Sequence, residues 1–255
     1  MVIDLIKKYS MSTHINTLEG NDLTVAQLAI AHPGALAVFT KYNIDYCCGG
    51  NRSLVEACHR VGLDPDLIRA EIDEASPTDS ALALKPETWS SGLLIDFIVQ
   101  NHHSYIKSVT PEIEALLDRV CDRHGNDCLE LLKVRECFRD LTEELALHME
   151  KEEKVLFPLI RRMELSGAEA TSLEKKVLGP IAAMEAEHES AGDLIKQIRY
   201  LSNNYTPPDF ACPTFQITYR KLKEYDNDLM RHIHLENNIL FGRFKDSTTP
   251  SSCSI

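Results

Sequence analysis

The stretch H-M-E-K-E-E-K-V-L-F-P, His148–Pro158, is echoed farther along by H-I-H-L-E-N-N-I-L-F-G, His232–Gly242. Each copy sets a glutamate four residues after a histidine and continues into the same apolar run. In a helix that spacing puts both polar groups on one face, one turn apart. The flanking apolar residues, Leu141, Leu145, Val155 and Leu159 in one copy and Leu222, Tyr225, Leu229 and Ile239 in the other, place that face in a core. A lone His-x-x-x-Glu is weak evidence, since ten histidines and abundant glutamate give roughly one match by chance. A repeat that keeps the polar pair together with its apolar continuation is stronger, because duplicated packing alone does not require the pair.

Two further apolar stripes each carry one histidine near the middle. One reads Ile95, Ile98, His102, Ile106, Val109 and the other Ile181, Met184, His188, Ala191, Ile195. His103 falls with Asp96 on the polar side, so of the adjacent pair His102 is the expected core residue. Six polar groups on apolar stripes, His102, His148, Glu152, His188, His232 and Glu236, each cost several kcal/mol to bury alone. A metal site compensates all of them: two His-x-x-x-Glu pairs and two single histidines hold two cations, with the glutamates as bridges. Imidazole with carboxylate suits iron, manganese or zinc, and no thiolates converge on these stripes.

The stripes lie on four long amphipathic segments, about 89–121 with a kink expected at Pro111, 128–164, 171–202 and 213–245. They are separated by His124-Gly125-Asn126, Ser166-Gly167 and Thr206-Pro207-Pro208. The expected fold is all-α, an up-down-up-down four-helix bundle over 89–246. Before it, residues 18–76 read as a small helical domain of four short segments, Thr24–Ala31, Pro33–Tyr42, Ser53–Val61 and Pro65–Ala75. Pro33 and Pro65 suit first helical positions there, and Gly62 suits a C-cap. A linker is expected over 77–88 and a disordered tail over 247–255; residues 1–17 are read as irregular.

The chain has 255 residues, 44% of them apolar, and a formal charge of −12. That excess of acid disfavours a nucleic-acid or anionic-membrane partner. No apolar run approaches the roughly 20 residues of a membrane helix, and the start lacks the core of a secretory signal. A cytoplasmic protein with reduced thiols is expected, because eight cysteines scattered over a helical chain do not form a disulfide framework. The adjacent Cys47 and Cys48, before Gly49-Gly50, are either two small packed residues or a reactive pair.

These residues resemble a known family. The bundle is similar to the hemerythrin-like domain, and the chain from Leu23 to Phe244 resembles the iron-sulfur cluster repair di-iron proteins of the RIC type, with a ScdA-type amino-terminal domain. The resemblance is carried by K-Y-N-I-D-Y-C-C-G-G at Lys41–Gly50, the two repeats above, and M-E-A-E-H-E at Met184–Glu189. It implies two irons per chain, oxo- or carboxylate-bridged, on the six residues named. It also implies repair of clusters damaged by nitrosative or oxidative stress through iron donation or nitric oxide handling. Damaged iron-sulfur proteins, small ligands such as nitric oxide, and a second copy of the chain in a homodimer are the implied partners. Cys47 and Cys48 become candidates for thiol chemistry or iron transfer. Glu144 and Glu187 match acidic residues close to the family's centre.

Gly242 departs from the Phe-Pro that the family repeats there, which touches the helix end. Oxygen-carrying hemerythrins have a further histidine on the third helix, where this chain has Met184 and Gly192 one turn either side of His188. An oxygen or nitric oxide sensor is the alternative function. A ferritin-like oxidase is weaker, since its Glu-x-x-His spacing occurs only at Glu185/His188 and Glu56/His59. No enzymatic turnover is assigned; nitric oxide chemistry at the metals is the candidate activity.

Overall fold

The computed structural model describes residues 23–32, 34–75, 84–165 and 170–245. The expectations for residues 1–17, Pro33, most of the linker and the tail lie outside these. The chain divides between residues 84 and 85 into two compact units.

The first unit contains four short helices: α1 Val25–Ala31, α2 Ala35–Lys41, α3 Leu54–Arg60 and α4 Pro65–Glu74. Their ends follow local chemistry. Thr24 and Gln27 form a reciprocal capping box at α1, and Ser53 and Asp64 accept backbone N–H groups at α3 and α4. Gly62, at φ +72, ends α3 with Leu63 N–H bonded to Cys58 O and its own N–H to His59 O. That pairing needs a left-handed residue, which glycine supplies without strain. Val25, Leu28, Phe39, Leu54, Cys58, Ile68 and Ile72 fill the core.

The second unit is the helical bundle. Its first long helix joins α5 (Ser91–Phe97) to α6 (Ser104–His124), its second joins α7 (Leu129–Lys151) to α8 (Phe157–Leu165), its third is α9 (Ala170–Leu201), and its fourth joins α10 (Pro213–His234) to α11 (Gly242–Lys245). The joins are π-helical turns at Ile98–His103, Glu152–Leu156 and Leu235–Leu240. α6 continues through Pro111, so the irregularity in this helix lies before it, in the π turn. Gly242, in place of Pro158 of the other repeat, opens α11.

Helix one packs on two and four, and helix three on two and four. Fully buried Ile98, Ile113, Leu117, Leu131, Phe138, Leu141, Phe215, Leu229 and Ile233 form the bundle core, each contributing about 1.5–3 kcal/mol by leaving water. Glu164 of α8 accepts the N–H groups of Ser91 and Gly92 at 2.9 and 3.0 Å, which satisfies the start of helix one from across the bundle. Helix three ends in three left-handed residues, Asn203, Asn204 and Tyr205. Asp226 holds the last of them, accepting one bond from the Tyr205 hydroxyl at 2.8 Å and two from Arg199 at 2.6 Å each.

Candidate metal centre

Midway along the bundle, two groups of buried ligands share two members. His103, Glu152, His232 and Glu236 form one group, and His148, Glu152, His188 and Glu236 the other. Within each group the ligand atoms lie within 4.8 Å of one another. All six side chains are at most 2% exposed. Four Nε2 atoms face inward: His103 to His232 at 3.2 Å and His148 to His188 at 2.9 Å. Glu152 and Glu236 stand between the pairs. Glu236 lies 3.0 Å from His232 Nε2 and 3.1 Å from His188 Nε2, and Glu152 lies 3.3 Å from His148 Nε2 and 3.4 Å from His103 Nε2.

His103 stands where His102 was expected. The stripe reading assumed an even α-helical period from Ile98 through His102 to Ile106. The π turn at Ile98–His103 widens that step by one residue, as an i→i+5 turn does, and carries His103 to the centre with no exposed surface. His102 is 7% exposed and bonds Asp228 Oδ1 through Nδ1 at 3.0 Å. His234 is also buried, at 3%, with its Nδ1 3.0 Å from the Asn238 amide.

The outer nitrogens of three of the imidazoles are tied down. Nδ1 of His103 meets Glu153 at 2.8 Å, that of His148 meets Glu187 at 2.9 Å, and that of His188 meets Asn237 Oδ1 at 2.7 Å. An N–H donated outward leaves the Nε2 lone pair for a cation. Lys107 and Lys151 in turn hold Glu153 and Glu187. Glu144, expected near the centre, is exposed and accepts the Ser190 hydroxyl at 2.9 Å. Glu153 and Asn237 were missed, although each directly follows the glutamate of a His-x-x-x-Glu pair.

The repeat is also a spatial symmetry. Phe157 stacks on His103 at 5.8 Å and Phe241 stacks on His188 at 6.2 Å, so each copy's phenylalanine supports the imidazole of a single-histidine helix.

The electrostatics fit a cation. Burial disfavours charge on His103, but Glu152 and Glu236 outweigh it and push its pKa up to about 10. His148 is raised to about 9 against the same burial penalty, by Glu152, Glu236 and Glu187. Burial lowers His232. Protons on two imidazoles nonetheless leave all four oxygens of Glu152 and Glu236 without an aligned hydrogen bond. A metal–imidazole bond of about 2.1 Å puts two ligands at right angles about 3 Å apart, the separation of the facing nitrogens. The donor set, four imidazoles and two shared carboxylates, therefore fits two transition-metal ions.

In the first unit Asp45, Cys47 and Cys48 come together. Asp45 Oδ1 accepts the N–H groups of Cys47, Cys48 and Gly49 at 3.3, 3.1 and 3.0 Å, and the Cys47 thiol at 3.3 Å. The sulfurs are 3.7 Å apart. Cys47 is buried and Cys48 half-buried, so the pair is not jointly exposed. Its hydrogen bond with Cys48, burial and the Asp45 charge hold the Cys47 thiol well above the ordinary range. A Cβ at Gly49 would sit 3.2 Å from Asp45 O and would require the Arg52 guanidinium to move.

Comparison with known proteins agrees with this arrangement. Residues 94–244 match the hemerythrin HHE cation binding domain, and residues 21–76 match ScdA_N, a domain of unknown function (DUF542). Over 227 residues the chain is 37% identical to the iron-sulfur cluster repair protein YtfE of Escherichia coli O81 (strain ED1a), covering 87% of this chain and 96% of that one. The protein of the same name from Escherichia fergusonii matches with the same identity and coverage. A ScdA-type domain followed by a helical bundle with buried histidine and glutamate clusters places this chain in the iron-sulfur cluster repair di-iron family, the RIC family, to which it belongs.

Proposed function

We propose that this chain repairs iron-sulfur clusters damaged by nitrosative or oxidative stress, using two irons held in the bundle. One observation carries the metal half of this reading: two buried carboxylates, with no aligned donor on any oxygen, are shared by four imidazoles. His103 and His232 would hold one iron, His148 and His188 the other, and Glu152 and Glu236 would bridge them. Bound iron supplies an exchangeable cation and coordination positions open to a small ligand such as nitric oxide.

The chain's own residues leave such positions open. Each half-site has two imidazoles and the two shared carboxylates, which is fewer donors than an octahedral ion takes. Met184 and Gly192, one turn either side of His188, are buried and offer no further imidazole. The tethers at Glu153, Glu187 and Asn237 fix ring orientation and keep the inward nitrogens available. Leu145, Phe157, Ile233 and Phe241 are at most 2% exposed and keep bulk water from the core around these rings.

Among the described residues no disulfide joins any of the seven cysteines, which agrees with the reduced thiols expected of a cytoplasmic protein. No described helix is long and apolar enough to cross a membrane. The homodimer and the nitric oxide ligand rest on the family resemblance.

The test is repair itself. Iron-loaded protein, prepared without air, is mixed with a cluster enzyme inactivated by nitric oxide. Recovery of enzyme activity, with iron passing from this chain to the client, is expected. No recovery, with reversible oxygen binding over repeated oxygenation and purge cycles in the absorption spectrum, would turn the reading to oxygen carriage or sensing.

A further inference from the structure

The repeat makes the two half-sites comparable residue by residue, and they differ in how the histidine of the His-x-x-x-Glu pair is held on its outer edge. His148 and His232 are equivalent, each the histidine of a His-x-x-x-Glu pair; His188 and His103 are equivalent, each stacked on the repeat's phenylalanine. His188 is preceded by Glu187, which accepts from Nδ1 of His148 and is itself held by Lys151. His103 is preceded by His102, which stands where a tether for His232 belongs. His102 does not serve: its ring lies parallel to that of His232 at 5.8 Å, and its Nδ1 is engaged by Asp228. Nδ1 of His232 is buried with no hydrogen-bond partner. The residue matching Lys151 in the other repeat is Leu235, which carries no charge.

We propose that the two irons are held unequally, the one between His103 and His232 being the iron that exchanges. The inference rests on the di-iron reading above. A ring whose outer nitrogen is unheld is less fixed in orientation and a weaker base, and loss of such an outer partner costs about 10–100-fold in metal affinity. His148 and His188 are both tethered, so their iron stays while the other leaves. Transfer by this route is ligand exchange of ferrous iron, with no electron or covalent bond changing hands. The Asp228 Oδ2 atom, buried without a partner beside His102, adds an unneutralised carboxylate oxygen at the edge of the same half-site.

The experiment follows release of iron to a ferrous chelator, by its absorbance, from anaerobically loaded protein. The wild type is expected to lose one iron per chain at least about ten times faster than the other. His102→Gln supplies a neutral amide oxygen for His232 Nδ1, as Asn237 does for His188, and keeps an N–H for Asp228; it is expected to slow the fast phase about tenfold. Glu187→Ala removes the tether of the other half-site and is expected to speed the slow phase by a similar factor. Circular dichroism establishes that both variants are folded. Two irons leaving the wild type in one phase overturn the inference, whatever the variants do. A biphasic wild type whose fast phase is unchanged in folded His102→Gln, and whose slow phase is unchanged in folded Glu187→Ala, overturns it too. Failure of the wild type to load any iron would instead strike the di-iron reading itself.

Discussion

His148 and His188 direct their Nε2 atoms at each other across 2.9 Å, while the opposite edge of each ring is bonded to Glu187 or Asn237. Their counterparts His103 and His232 face each other at 3.2 Å, but there only His103 is bonded on its outer edge, to Glu153. A shared proton accounts for one such contact. It does not account for two carboxylates beside both pairs with no donor aligned to any of their four oxygens. Buried ions left so cost several kcal/mol each, and a pair of cations removes that cost at both.

The exchange of His103 for His102 gives the first prediction. His103→Ala should cut bound iron to about one per chain or fewer, since it removes a quarter of the imidazoles of a site with no spare donor. His102→Ala should leave two. Metal analysis of the two folded variants reads the difference directly, and equal losses would contradict the π-turn geometry.

Outer partners should matter nearly as much as ligands. Glu153→Ala and Asn237→Ala each free an Nδ1 that is now held at 2.8 or 2.7 Å. Affinity for ferrous iron, measured by competition with a chelator, should fall about 10–100-fold in each. Glu144→Ala, whose partner is Ser190 on the surface, should leave it unchanged.

Much of this was legible in the sequence because helices two, three and four keep regular spacing up to their histidines. His148, Glu152, His188, His232 and Glu236 all lie where a 3.6-residue period brings them together. Helix one does not keep that period, and one extra residue in the turn before His103 moved the prediction to its neighbour. A reading by symmetry rather than by period would have found it. Glu187-His188 and His102-His103 are equivalent pairs, and in each the second residue faces the centre. Glu153 and Asn237 were hidden for a different reason: a tether is made between helices, and no spacing along one helix reveals it. The ends of the short helices in the first unit were plain, since Thr24, Ser53, Asp64 and Gly62 cap by local bonds.

Iron binding should release protons. In the metal-free protein His103 and His148 have pKa values raised to about 10 and about 9, so both carry a proton at pH 7.5. Loading must expel them, about two per chain, and affinity should climb with pH until about 9–10, where the ligands are already free. The same shifts stabilise the metal-free fold fully below the unfolded histidine value of about 6.5, and that stabilisation is lost as pH rises through about 9–10. Calorimetry in buffers of different ionisation enthalpy counts the protons; none released would contradict the assignment.

The thiol pair should react unequally. Cys47 is buried and its thiol is held protonated by Cys48, burial and Asp45, so an alkylating reagent should label Cys48 first. Asp45→Asn removes a charge that raises the Cys47 thiol and should speed its labelling, read by mass spectrometry of the peptide. Cys47→Ala/Cys48→Ala should leave the iron spectrum intact while lowering repair of a damaged cluster enzyme; unchanged repair would assign the pair to packing.

The central claim is that six buried side chains of one chain hold two bridged irons. Iron analysis with Mössbauer spectroscopy, on protein purified and loaded without air, tests it most directly. The account requires about two irons per chain in a coupled pair, as this ligand class provides, with that signal lost in both His148→Ala and His232→Ala. A folded wild-type protein that takes up no iron, or one whose iron content and spectrum survive both substitutions, would contradict it.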